Sequence, residues 1–141
     1  MSRLRLGLEL DGTSRGRLVR DIVTALARRS AVRGALLVAP DGFVIASEVA
    51  STVAVEPLAA LAATLGRDLE VGASRLGRGS FQTAMFSADD GTLLLATSLV
   101  GFVVALAERE ANVPRLRGAM DEAVALLELA WAPPAPAPTP T

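Results

Sequence analysis

Two places in this sequence hold residues whose types and spacing could do chemistry. Asp89-Asp90 sets two carboxylates side by side, the start of a cation site if a third acidic group joined them. Gly77-x-Gly79 spaces two glycines as a phosphate-cradling loop does. Each has a plainer reading in its neighbours. A phosphate loop follows a strand and opens a helix, whereas this glycine pair follows a helical stretch and precedes a strand, so it reads as a helix stop. Asp89-Asp90-Gly91 lies between two apolar runs, where Asp and Gly are what a tight turn requires. Asp41-Gly42, after Pro40, is a turn on the same grounds.

What is missing removes most of the remaining chemistry. The 141 residues include no histidine and no cysteine. Ordinary zinc, haem and copper sites are therefore excluded, as are Ser-His and Cys-His catalysis and any disulfide framework. The 14 basic residues are all arginine, which also excludes a P-loop lysine. Catalysis would have to rest on Asp, Glu, Ser, Thr or Arg alone, and the chain is expected to be no enzyme and to carry no cofactor or metal. The net charge of −1 gives no basic field for nucleic acid. Apolar residues make up 51% of the chain, more than one small domain needs, and such a surplus points to an association surface. No apolar run reaches the ~20 residues of a membrane-spanning helix. The basic start at Met1–Arg5 is followed by Glu9 and Asp11 where a signal sequence would stay apolar, so a cytoplasmic protein is expected.

The elements that would position these residues can be read from periodicity. Residues 1–13 alternate, with Leu4, Leu6, Leu8 and Leu10 against Arg3, Arg5, Gly7 and Glu9, the period of a strand. This arm could add to a sheet edge, pair with another chain or remain a leader. Ser14 is placed as a helix N-cap, and Leu18, Ile22 and Leu26 give a first helix over 14–30. Residues 34–48 read as a hairpin around Pro40-Asp41-Gly42. Pro57, favoured in a first turn, opens a helix to residue 76. That helix has Leu58, Leu61, Ala62, Leu65, Leu69, Gly72 and Leu76 on one side and the small Ala59, Ala63, Gly66 and Ser74 on the other. The spacing lets it lie on a sheet and still approach a second helix closely. Strands are expected at 80–88, 92–98 and 102–107, and a last helix at 113–131. Residues 132–141, Ala-Pro-Pro-Ala-Pro-Ala-Pro-Thr-Pro-Thr, form a Pro-rich tail outside the core. The order is α-β-β-α-β-β-β-α. It implies an α+β fold with a five-stranded antiparallel sheet and helices on both faces.

Three stretches carry a family likeness. Arg33–Ala46 resembles the first hairpin of the roadblock/dynein light chain 7 domain, with its Asp-Gly turn. Pro57–Leu65 resembles the opening of that family's central helix, and Gly79-Ser-Phe-Gln82 the entry into its third strand. The likeness covers residues 14–131 and is narrowest to the bacterial branch that partners Ras-like GTPases; the fold is related to the profilin-like and longin-like folds. The resemblance implies a homodimer in which the central helices pack together and the third strands meet. On this chain those are Pro57–Leu76 and Phe81–Phe86, with Leu58, Leu61, Ala62, Leu65, Leu69, Gly72, Leu76, Phe81, Thr83 and Met85 at the interface. It also implies a regulator or scaffold of a small Ras-like GTPase, possible stimulation of GTP hydrolysis, and no arginine finger from Arg67, Arg75 or Arg78. An adaptor with no GTPase partner, recruiting proteins through its sheet or Pro-rich tail, is the alternative.

Overall fold

The structure, a computed structural model, describes residues 15–131. The expectations for the alternating arm, the Ser14 cap and the Pro-rich tail lie outside the described residues. The elements are α1 (Arg15–Ala27), β1 (Val32–Val38), β2 (Val44–Val49), α2 (Val55–Arg75), β3 (Thr83–Ala88), β4 (Gly91–Thr97), β5 (Phe102–Ala107) and α3 (Val113–Trp131). The strands form one antiparallel sheet in the order β2-β1-β5-β4-β3. This is the expected α+β fold and element order.

Central strands carry the most continuous apolar runs because both their faces are covered. Along β1 and β5 the alternate residues Ala35, Leu37, Val103 and Ala105 face α1 and α3, whereas Leu36, Val38, Phe102 and Val104 face α2. The first cluster is the larger. It is completed by Leu18, Ile22, Val23 and Leu26 of α1 and by Leu116, Met120, Ala123 and Leu127 of α3. One helix, α2, serves the other face.

Local signals set the element ends. Asp41 accepts the Phe43 backbone N–H through Oδ1 (3.0 Å), which closes the β1–β2 turn. Asn112 Oδ1 accepts the Arg115 N–H (3.1 Å) at the start of α3, an Asx cap. α2 begins at Val55, two residues before Pro57, because a proline within the first turn removes an N–H that has no helical partner there. It ends in a Schellman motif, with Arg78 N–H donating to the Ala73 carbonyl (3.2 Å) and Gly77 N–H to that of Ser74 (3.0 Å). Gly77 and Gly79 both have positive φ, 68° and 79°. They are the expected helix stop.

Candidate interaction surface

α2 meets the sheet in a way the sequence did not anticipate. Its buried residues are Ala59, Ala62, Ala63 and Gly66, so the small side lies on its own sheet. The reason is the bulk the sheet supplies: Leu36, Val38, Leu95, Phe102 and Val104 all rise toward the helix. A Cβ on Gly66 would collide with the Phe102 ring. Ala62, expected at a subunit interface, is fully buried within its own chain. The small residues therefore bring α2 close to the sheet rather than to a second helix.

Leu58, Leu61 and Leu65 occupy the flank of α2 that is turned toward β3. Leu58, Leu65 and Leu69 are half-buried against the sheet core, whereas Leu61 is 50% and Leu76 is 77% exposed. Two polar contacts hold α2 in this position over the strand ends. Arg67 donates from Nη1 to the Pro40 carbonyl (2.8 Å), and the Thr97 hydroxyl donates to Glu70 Oε1 (3.0 Å).

α2 packs across β1, β2, β5 and β4. Between its leucine flank and the β3 side of the sheet lies an open apolar groove of about 780 Å³. Leu58, Leu61 and Leu65 form one wall, Phe86 and Ala88 the other, and Leu93 and Leu106 also line it. Phe86 is 41% exposed and Met85 54%.

Thr83 and Met85, expected at the interface, share one face of β3, but it is not the face that lines the groove. Thr83 and Met85 pair with Ala96 and Leu94, which belong to the α1/α3 side. Ala84 and Phe86 pair with Leu95 and Leu93, which belong to the α2 side. Phe81 precedes the strand, which begins at Thr83, so its parity does not carry into it. Its ring packs 6.2 Å from that of Phe102. The groove residue the sequence reading missed is thus Phe86, and the signal was available in the alternation Ala84, Phe86, Ala88.

The two motifs considered for chemistry lie at the end of α2 and in the β3–β4 turn. Asp89 and Asp90 form the two-residue β3–β4 turn, and no group of three potential metal ligands occurs among the described residues. Glu108 and Glu110 share a hydrogen bond near Arg33. That bond raises the Glu108 carboxyl above its ordinary value, with repulsion from Glu110 adding to the rise and Arg33 opposing it. The same bond lowers Glu110. Arg33 lies 3.8 Å from Glu108 and donates to the Thr52 hydroxyl (2.6 Å). No described helix is long and apolar enough to cross a membrane.

Geometry thus defines a class: an α+β sheet domain whose distinctive surface is an apolar groove beside β3, an edge strand among the described residues. Residues 18–107 match the Roadblock/LC7 domain family, and the chain belongs to that family. Uncharacterized protein MJ0310 of Methanocaldococcus jannaschii is 26% identical over 102 residues, covering 72% of this chain and 90% of its own length. Among solved structures, gliding protein MglB from Thermus thermophilus superposes with a TM-score of 0.73 at 19% identity, covering 87% of this chain and 97% of that one. Myxococcus xanthus MglB gives 0.71 at 15% identity, with 87% and 90% covered. A Roadblock/LC7 domain from Streptomyces avermitilis gives 0.71 at 23%, with 78% and 94% covered. At these identities the likeness is one of fold.

Proposed function

We propose that this chain is a homodimeric, non-enzymatic regulator or scaffold of a small Ras-like GTPase, acting in the cytoplasm. The observation that carries the reading is the open groove between α2 and β3. Burying one leucine side chain is worth roughly 1.5–3 kcal/mol, and Leu61, Leu76, Met85 and Phe86 leave much of that gain unrealised in a lone subunit. A second α2 brought in by a two-fold axis fills the groove of the first and has its own filled in return, as an isologous contact requires. The same axis sets β3 beside its mate. β3 suits this role, since Thr83–Ala88 contains no charged residue to discourage pairing, whereas the other edge strand, β2, carries Glu48.

The interface on this reading is Leu58, Leu61, Leu65, Leu69 and Gly72 of α2, with Leu76 just beyond its end, and the edge of β3, including Met85, Thr83 and Phe86. Phe81 supports it from beneath, against Phe102. The GTPase partner is proposed from the resemblance to the branch that partners Ras-like GTPases; membership of the Roadblock/LC7 family and the likeness in fold to MglB structures support that reading. The chain acts as a platform that supplies no catalytic group. Arg67 is engaged with the Pro40 carbonyl, which fits a structural role better than that of a finger.

Light scattering at micromolar concentration should give twice the 14.6 kDa chain mass. Leu61→Asp should yield a folded monomer, because residue 61 is half exposed in the subunit while the charge would sit unpaired in the seam. A wild-type monomer sinks the dimer. For the partner, a Ras-like GTPase recovered with the chain from native lysate should co-elute with it when loaded with GTP. Phosphate release then shows whether hydrolysis is accelerated, and failure of the purified pair to associate overturns the GTPase assignment.

A further inference from the structure

The outer edge of β2 and the groove beside it play no part in the dimer proposed above. Among the described residues β2 has β1 as its one sheet neighbour, so the backbone groups on its outer side lack a strand partner. On the α1 face this edge borders a groove of about 320 Å³, walled by Val19 and Val23 of α1, Ile45 and Ala46 of β2, and Trp131 of α3. Gly16 lines the same groove, so the chain enters α1 directly beside it.

The residues preceding α1 have the pattern such a groove accepts. Leu4, Leu6, Leu8 and Leu10 would fall on one side of an extended segment, and Arg5, Gly7 and Glu9 on the other. We propose that residues 4–10 pair with the outer edge of β2 as an additional antiparallel strand, their leucines closing the α1/β2 groove. The connection Asp11–Ser14 spans roughly 13–14 Å when extended, and adjacent strands lie only ~4.8 Å apart. Four residues is also a common length for a strand-to-helix link.

Direction and handedness agree with this placement. β1 leaves the end of α1 and β2 returns antiparallel to it. A strand leading into the start of α1 therefore runs parallel to β1 and antiparallel to β2. Its crossover to β1 passes over the α1 face, while β2 crosses to β3, its parallel counterpart at the far edge, over the α2 face. In this sheet order those two connections have the same hand, as the strong preference for right-handed crossovers demands. The added strand also seals the one edge that dimerisation through β3 leaves open. The pairing itself does not depend on the dimer.

Hydrogen exchange on the full chain tests this. Amides within residues 4–10 should exchange roughly a hundred-fold more slowly than in free peptide, as in a locally stable unit. Ile45→Asp, at a partly exposed groove position, should abolish that protection while the helices stay protected. The chain has no cysteine, so Gly7→Cys with Ser47→Cys, bridged by a short bismaleimide, should link within one chain. Protection retained in the monomeric Leu61→Asp variant separates this inference from the dimer. Exchange of residues 4–10 at free-peptide rates, or linkage only between chains, overturns it.

Discussion

Gly66 shows at the scale of one residue why α2 sits where it does. Alanine normally favours a helix interior over glycine by about 1 kcal/mol. Here an added methyl meets Phe102, which is itself buried between α2 and the sheet. Overpacking of this kind costs typically 1–3 kcal/mol. The cost less the propensity gain leaves a net loss of up to about 2 kcal/mol, so Gly66→Ala should not stabilise the chain in urea denaturation, against the trend of helix propensity. Gly72 gives the contrast, since nothing lies within 4 Å of a Cβ placed there. The two exposed carboxylates near Arg33 make a different prediction. Glu108 should titrate above, and Glu110 below, its ordinary value when followed by NMR, because a shared hydrogen bond favours a proton on Glu108 and none on Glu110. Glu108, with its folded value raised, contributes stability that is present in acid and is lost as pH rises through that value. Glu110, with its folded value lowered, contributes stability that is present above its unfolded value and is lost as pH falls through the folded one. Glu110→Ala should bring the Glu108 midpoint down, since the remaining charged neighbour, Arg33, favours the carboxylate.

Single elements show how far the sequence could be read. The Asp-Gly turns, the glycine stop after α2 and the apolar runs of β1, β4 and β5 placed every helix and strand within a few residues, because turn chemistry and periodicity are local properties. The orientation of α2 was not legible in the same way. Its pattern separates leucines from alanines but does not say which side meets the sheet, and that depended on Phe102 and Leu36 arriving from distant strands. Likewise, the strand period sorts β3 into Thr83, Met85, Ser87 and Ala84, Phe86, Ala88, and only the cross-strand partners on β4 assign each set to a face. Of the residues expected at an interface, Leu58, Leu61 and Leu65 line the groove and Ala62 is buried within the chain, while Phe86 of β3 lines the groove without having been named among them. Phe86→Ser provides the check at this scale. It removes an apolar wall of the groove from a residue that is not enclosed within the subunit, so dimer dissociation by analytical ultracentrifugation should become easier by roughly 1–2 kcal/mol, within the range for losing a partly buried apolar side chain. The monomer's circular dichroism should stay unchanged. If the dimer is equally tight, β3 contributes nothing to the seam.

Among the described residues the sheet is served by two helices on one face and by one helix on the other, and this asymmetry has a thermodynamic consequence. The α1/α3 side holds the larger buried cluster, whereas the larger open apolar groove lies beside α2. If two subunits share that groove, part of the apolar burial that stabilises the fold is realised only on association. Unfolding then produces two chains from one native particle, and mass action makes stability depend on protein concentration. Each ten-fold increase in subunit concentration should raise the free energy of unfolding per dimer by about 1.4 kcal/mol. The urea midpoint should move upward with concentration for the wild-type chain. For Leu61→Asp the midpoint should be lower and independent of concentration, because the monomer keeps its α1/α3 core and loses only the shared seam. A wild-type midpoint that stays fixed across a hundred-fold range of concentration below 10 µM, a range chosen to bracket ~µM affinities, would mean that the subunit folds without its mate, and the surplus of apolar surface would need another occupant.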